Sequence, residues 1–172
     1  MPVSAQPANA SADEAVERLY TAHWPSLVRL GALLLRDTAQ AEDVVQDAFV
    51  AMHRRWSSVR DQDKALAYLR RSVVNGCRSA LRKATVAQRN RPDPVRDVDS
   101  AEASVLAGER RDRVLAALDA LPHRQREVLV LRHWLDLSEA DIAATLRISR
   151  GSVKSHSSRG LARLRTTLER DA

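Results

Sequence analysis

The chain has 172 residues, 44% hydrophobic and only 3% aromatic, with a formal net charge of +6. That length holds one domain or two small ones, with cores built mainly from Leu, Val and Ala. A single cysteine, Cys77, excludes an internal disulfide. The five histidines are too scattered for a zinc site, and no apolar run is long enough to cross a membrane.

No stretch alternates apolar and polar residues long enough to predict a strand, so the chain is expected to be all-α. Residues 1–10 read as a disordered tail, and MPVSAQPANASADE lacks the basic start and apolar run of a secretory signal. Ser11 opens a capping box with Glu14. The helix that follows turns Val16, Leu19 and Tyr20 inward. Pro25 should kink or restart it, after which Leu27, Leu30, Leu33 and Leu34 form an apolar stripe. Asp37 or Thr38 caps a second helix over about 39–56, with Val45, Phe49, Met52 and Trp56 inward. Its outer face begins with Glu42, Asp43, Gln46 and Asp47 and ends with Arg54 and Arg55. Acid first and base last suits the helix dipole, and the same face would also serve as an acidic docking surface.

A polar loop is expected over Ser57–Lys64, then a third helix over about 65–83. Leu66, Leu69, Val73, Cys77 and Leu81 face inward; Arg70, Arg71, Asn75, Arg78, Arg82 and Lys83 occupy its other faces. Cys77 reads as a small core hydrophobe. Residues 85–108 form a flexible acidic linker, with any helix confined to its far end. RRDRVLAALDAL supplies a helix with Val114, Leu115 and Leu118 inward. Pro122 starts another, with Val128, Leu131 and Leu135 inward and Trp134 in the core or at its rim.

Residues 138–165 then read as a helix-turn-helix. Ser138 caps its first helix, with Asp141 completing a capping box, and Ser149 caps the second. Ile142, Ala143 and Leu146, then Val153, Ser157, Gly160, Leu161 and Leu164, mark the inward stripe. The opposite face of the second helix carries Arg150, Lys154, Ser155, Ser158 and Arg159. Arginine can read guanine through two bonds, and serine suits bases or phosphates. An ordinary amphipathic helix pair with a solvated basic face is the alternative.

Charge is unevenly placed. Residues 1–63 hold six basic and nine acidic residues; 64–91 hold eight basic and none acidic; 92–109 hold one basic and five acidic; 110–170 hold thirteen basic and seven acidic. Two basic regions joined by an acidic connector point to two nucleic-acid contacts on a tether. An arginine-rich helix with no carboxylate to pair with is a poor solvated face and a plausible nucleic-acid face. The layout is two small helical domains, 11–84 and 109–172, joined by linker 85–108, the second containing the helix-turn-helix.

Two motifs in this order and spacing resemble a known family. AEDVVQDAFVAMHRRW with KALAYLRRSVVNGCRSALRK, and ALDALPHRQREVLVLRHWLDLSEADIAATL with SRGSVKSHSSRGLARLR, resemble bacterial extracytoplasmic-function (group IV) sigma factors. The likeness is greatest to the sigma-E-like subgroup of high-GC Gram-positive bacteria. It covers roughly residues 12–170. It implies a cytoplasmic transcription initiation factor with no catalytic residues, metal or cofactor, acting only with core RNA polymerase. The N-terminal domain (region 2) would dock on the clamp helices of the largest subunit through Asp43, Gln46 and Asp47. It would take the −10 element as a single strand, with a flipped base held by the 57–64 loop. The residues implied there are Ser58, Arg60, Asp61 and Lys64, with Arg54, Arg55, Arg71 and Asn75 near the strand. The C-terminal domain (region 4) would read the −35 duplex through Arg150, Lys154, Ser155, Ser158 and Arg159. Linker residues Asp93, Asp97, Asp99 and Glu102 would mimic RNA near the active centre. An anti-sigma factor, wedged between the two domains, is a further partner that the resemblance admits.

Departures from the family pattern are Arg147 where many relatives have Gly at the turn, His156 and Ser157 in the recognition helix, and Ser79 where many have Asp. Two other readings stay open on the residues alone. A stand-alone helix-turn-helix repressor would need no second arginine-rich DNA site. A helical module binding a protein through the acidic face would leave the basic block 64–91 unused.

Overall fold

The computed structural model describes residues 7–56, 62–88 and 105–170, which form seven helices and no strand. They are α1 (Pro7–Leu35), α2 (Thr38–Arg54), α3 (Gln62–Gln88), α4 (Val105–Asp119), α5 (His123–His133), α6 (Glu139–Leu146) and α7 (Arg150–Arg170). The all-α expectation is met, in a group of three helices and a group of four.

Boundaries differ from the expected ones at three places. α1 already starts at Pro7, inside the stretch read as a tail; proline is favoured at a first helical position, and Ala8, Ala10 and Ala12 are strong helix formers. It also runs through Pro25 without restarting, where the Ser26 hydroxyl donates to the His23 carbonyl (2.9 Å) in the weakened turn. α3 starts at Gln62 and ends at Gln88, so it takes Lys64 from the expected loop and 85–88 from the expected linker. α4 begins at Val105, at the linker's far end as anticipated. Ser58, Arg60 and Asp61, and the acidic residues Asp93, Asp97, Asp99 and Glu102, lie outside the described residues.

The first group packs on Leu27, Leu30 and Leu34 of α1, Val45, Phe49 and Met52 of α2, and Leu69, Val73 and Cys77 of α3, all essentially without solvent exposure. Gly31 makes the α1–α2 contact possible: a Cβ there would sit 2.9 Å from the Ala41 Cβ. Tyr20 stacks on Trp24 (ring centroids 4.6 Å apart) and meets Phe49 edge-on (5.1 Å). Tyr20 itself lies at the rim rather than in the core. His53 at the end of α2 pairs with Asp13 of α1 at 2.6 Å.

The second group buries Ala117, Leu121, Val128, Leu131, Ile142, Leu146 and Val153. Val114 and Leu161, expected inward, are both exposed, because α4 and α7 turn neighbouring stripes, Ala117 and Gly160, toward their partners. Trp134 is exposed to solvent rather than in the core. α7 crosses α5 closely at Gly160, where a Cβ would meet Leu129 Cδ1 at 3.0 Å and Gln125 Cβ at 3.3 Å. Gly160→Val should therefore cost about 1–3 kcal/mol by overpacking, seen as a lowered thermal midpoint with helix content retained. A midpoint equal to that of the parent chain would mean that α7 has room to shift.

Candidate functional site

The helix-turn-helix is set by local chemistry. The Ser138 hydroxyl oxygen accepts from the Asp141 amide (3.1 Å), and its proton goes to the Asp141 carboxylate (2.6 Å). α6 ends at Arg147, which adopts a left-handed backbone (φ 55°, ψ 50°), and the Ile148 amide closes the turn on the Ala143 carbonyl at 3.1 Å. The glycine common at this position would adopt that conformation freely; arginine does so at a cost of about 1 kcal/mol. The Ser149 hydroxyl then caps α7 through the Ser152 amide (3.0 Å). Ile142, Leu146 and Val153 lock the two helices together.

This arrangement leaves Arg150, Lys154, Ser158 and Arg159 exposed along α7, with Ser155 half-buried between them. The Arg159 guanidinium donates to the Ser155 hydroxyl at 3.3 Å. Lys154 Nζ stands 3.9 Å from Glu139 Oε2, whose other oxygen takes a bond from Arg132 at 3.2 Å. A pair of that length with an exposed lysine holds Lys154 by no more than about 1 kcal/mol, so it can be exchanged for a phosphate or base edge. All five residues predicted for this face are thus brought together.

α2 presents a second surface. Asp37 caps it through the Gln40 amide (2.9 Å), which fixes the register that buries Val45, Phe49 and Met52. Glu42, Asp43, Gln46 and Asp47 are left exposed. Among the described residues, none of the four has a hydrogen-bond or ion-pair partner. Beside them a groove runs between α2 and α3, lined by Gln40, Val44, Asp47, Gly76, Ser79 and Lys83.

The third surface is more dispersed. Arg54 and Arg55 are exposed at the end of α2, Lys64 is exposed in the first turn of α3, and Arg71 and Asn75 lie one turn apart further along it. Asn75 is exposed and Arg71 half-buried.

One feature of this region carried no sequence signal. The Arg78 guanidinium donates to both carboxylate oxygens of Glu127 on α5, at 2.6 and 2.7 Å. His123 Nδ1 (3.0 Å) and Arg124 (3.1 Å) reach the same carboxylate, which is fully buried. Burial alone would raise the Glu127 pKa, but the bonds from Arg78 and His123 outweigh it and hold it at about 2. Cys77, beside it on α3, is pushed up to about 12 by burial and by the Glu127 charge, which makes it an unreactive thiol at neutral pH.

The acid dependence follows. Because the folded Glu127 carboxyl titrates below its ordinary 4.5, its contribution is complete above about pH 4.5 and is lost as pH falls through about 2. Glu127→Gln should remove the steepest part of the stability loss in that window, measured by denaturant unfolding at stepped pH. An unchanged acid limb would assign that loss to other carboxylates.

Comparison with known proteins is consistent across the chain. Residues 19–86 match the family described as Sigma-70 region 2, and residues 111–164 match Sigma-70, region 4. The chain is 36% identical over 146 residues to an RNA polymerase sigma-E factor of Streptomyces avermitilis, covering 84% of this chain and 79% of that protein. It is 34% identical over 150 residues to the ECF RNA polymerase sigma factor SigM of Mycobacterium tuberculosis, covering 87% and 75%. Its fold matches the sigma factor RpoE of Bartonella quintana, solved with the anti-sigma factor NepR (TM-score 0.75, 24% identity, 91% and 98% covered). It also matches CnrH, solved with the cytosolic domain of CnrY (TM-score 0.69, 25% identity, 95% and 98% covered). The chain belongs to the RNA polymerase sigma factors, in their extracytoplasmic-function branch.

Proposed function

We propose that this chain binds core RNA polymerase and directs promoter-specific initiation by reading two separated DNA elements. The exposed row Arg150, Lys154, Ser158 and Arg159, held on a capped helix behind a tight turn, carries the reading. It has the geometry for the major groove of a −35 element, with Ser155 between the arginines and the lysine. Arg54, Arg55, Lys64, Arg71 and Asn75, with Ser58, Arg60 and Asp61 of the 57–64 segment, are assigned to the −10 element as a separated strand. Cationic side chains suit the strand's backbone there. Asp43, Gln46 and Asp47 are assigned to the clamp helices of the polymerase largest subunit. Among the described residues their side chains have no hydrogen-bond or ion-pair partner, which suits them to a basic surface.

The factor itself does no chemistry; the polymerase supplies it, and no metal or cofactor is assigned. Among the described residues no helix is long and apolar enough to cross a membrane, and we place the protein in the cytoplasm with its polymerase. The matching fold of RpoE, solved with the anti-sigma factor NepR, is the observation behind assigning such a partner here as well. The test is selection from a pool of random duplex fragments by the chain with and without core polymerase. The reading expects two sequence blocks at fixed spacing to be enriched only with core. Enrichment of one block by the chain alone would instead favour a stand-alone repressor.

A further inference from the structure

The two helix groups meet where α3 packs on α6 and α1 packs on α5, and the first of these contacts falls on the helix assigned to the −10 strand. Arg78 grips Glu127 with two parallel bonds, and its remaining nitrogen donates to the side-chain oxygen of Asn75 at 3.3 Å. Arg70, one turn before Val74, is half-buried and feels the charge of Asp141 on α6. A second clasp joins the groups at the end of α1, where Arg126 of α5 donates to the Leu34 carbonyl at 3.3 Å. Beneath these bonds a continuous buried cluster runs from Leu69 and Val73 of α3 to Leu131, Ile142 and Leu146 of the second group.

A carboxylate and a phosphate present the same pair of oxygens to a guanidinium. Glu127 meets Arg78 as a DNA phosphate would, on the face that also carries Arg71 and Asn75. We propose that Glu127 is an internal stand-in for a DNA phosphate. It engages Arg78 and closes the second helix group over the α3 face. When the groups part, Arg78 joins Arg71 and Asn75 as a nucleic-acid contact. The inference rests on the reading of α3 as a DNA-binding helix.

Chemistry makes the latch two-state. A buried ion pair is tolerated when closed, and breaking it without parting the groups would leave the buried Glu127 carboxylate to His123 and Arg124 alone, without the two parallel bonds from Arg78. Parting the groups hydrates both charges at once, so the available alternative to the closed form is an open one. A nucleic acid that binds only the open form shifts the balance toward it, and the latch weakens that binding by the same factor.

The test uses the full chain, with small-angle scattering for closure and fluorescence anisotropy of a short single-stranded oligonucleotide for binding. Glu127→Ala is expected to raise the radius of gyration and to tighten oligonucleotide binding about tenfold, as for a competent form populated near one part in ten in the parent chain. Arg78→Ala is expected to open the chain equally but to give a smaller gain, since the freed contact is itself removed. Because Arg78 lies on the first group and Glu127 on the second, failure of one variant to fold leaves the other to report. No expansion in either folded variant overturns the inference, and so does expansion without any gain in affinity for Glu127→Ala. The DNA reading of α3 fails separately if Arg71→Ala with Asn75→Ala leaves oligonucleotide binding unchanged in the opened Glu127→Ala chain.

Discussion

Replacing Lys154 and Arg159 together by alanine should abolish −35-dependent initiation while binding to core polymerase survives. Both side chains are exposed on α7, and their own contacts are weak. Arg159 donates to the Ser155 hydroxyl at 3.3 Å, and Lys154 stands 3.9 Å from Glu139. Alanine suits the middle of an exposed helix, so stability should change by less than about 0.5 kcal/mol. The loss at the promoter is larger. Two well-placed contacts to base edges are together worth about 2–6 kcal/mol, or at least thirtyfold in promoter occupancy. Run-off transcription from promoters with intact and scrambled −35 blocks separates the effects. The double variant should treat the two templates alike. If it still prefers the intact block, α7 docks with a different face than the one assigned.

The second large effect is expected on α2. Asp43→Arg with Asp47→Arg should weaken the complex with core polymerase by at least about tenfold, because like charges brought face to face across an interface cost several kcal/mol. The fold should persist, since both carboxylates are exposed and the Asp37 cap and the Val45, Phe49 and Met52 stripe stay in place. Neither site lies in the first turn of α2, where the helix dipole would penalise a positive charge most. Titration of labelled chain with core polymerase measures the change. Unchanged affinity would mean that polymerase docks on a different face of the chain.

These expectations concern surfaces that were legible in the sequence because their causes are local. Ser138 and Ser149 cap helices through amides three residues away, so the two helices of the helix-turn-helix could be placed from the residues alone. Asp37 did the same for α2. Once those registers were set, the outward positions of Lys154, Arg159, Asp43 and Asp47 followed from helical spacing. Where the outcome depended on a distant partner, spacing was not enough. Val114 and Leu161 fit an apolar stripe, yet the packing of α4 and α7 turns them to solvent. Tyr20 read as inward, yet its ring only caps Trp24 and Phe49 from the rim.

The Arg78–Glu127 pair shows the limit most clearly. Its members lie 49 residues apart on either side of the linker. Nothing near either residue distinguishes it from a solvated charge. In the sequence Arg78 is one more cation on a cationic helix, and Glu127 stands among Arg124 and Arg126 as an ordinary helical pair. Only the tertiary contact that brings Arg78 to it makes Glu127 a buried carboxylate held by Arg78, His123 and Arg124 together. Pro25 gives the converse case. Its sequence effect was read correctly as a missing donor, but α1 remains one helix because its neighbours on α2 and α3 bury both halves on the same core.

In the proposed function, two DNA-reading surfaces become useful only when polymerase fixes the distance between them. The measurement that tests this most directly is start-site sequencing of transcripts made by core polymerase from a promoter library, with and without this chain. New starts are expected downstream of two shared sequence blocks at constant separation, lost when that separation is altered by a few base pairs. Starts no different from those of core alone, or starts indifferent to the separation, would contradict it.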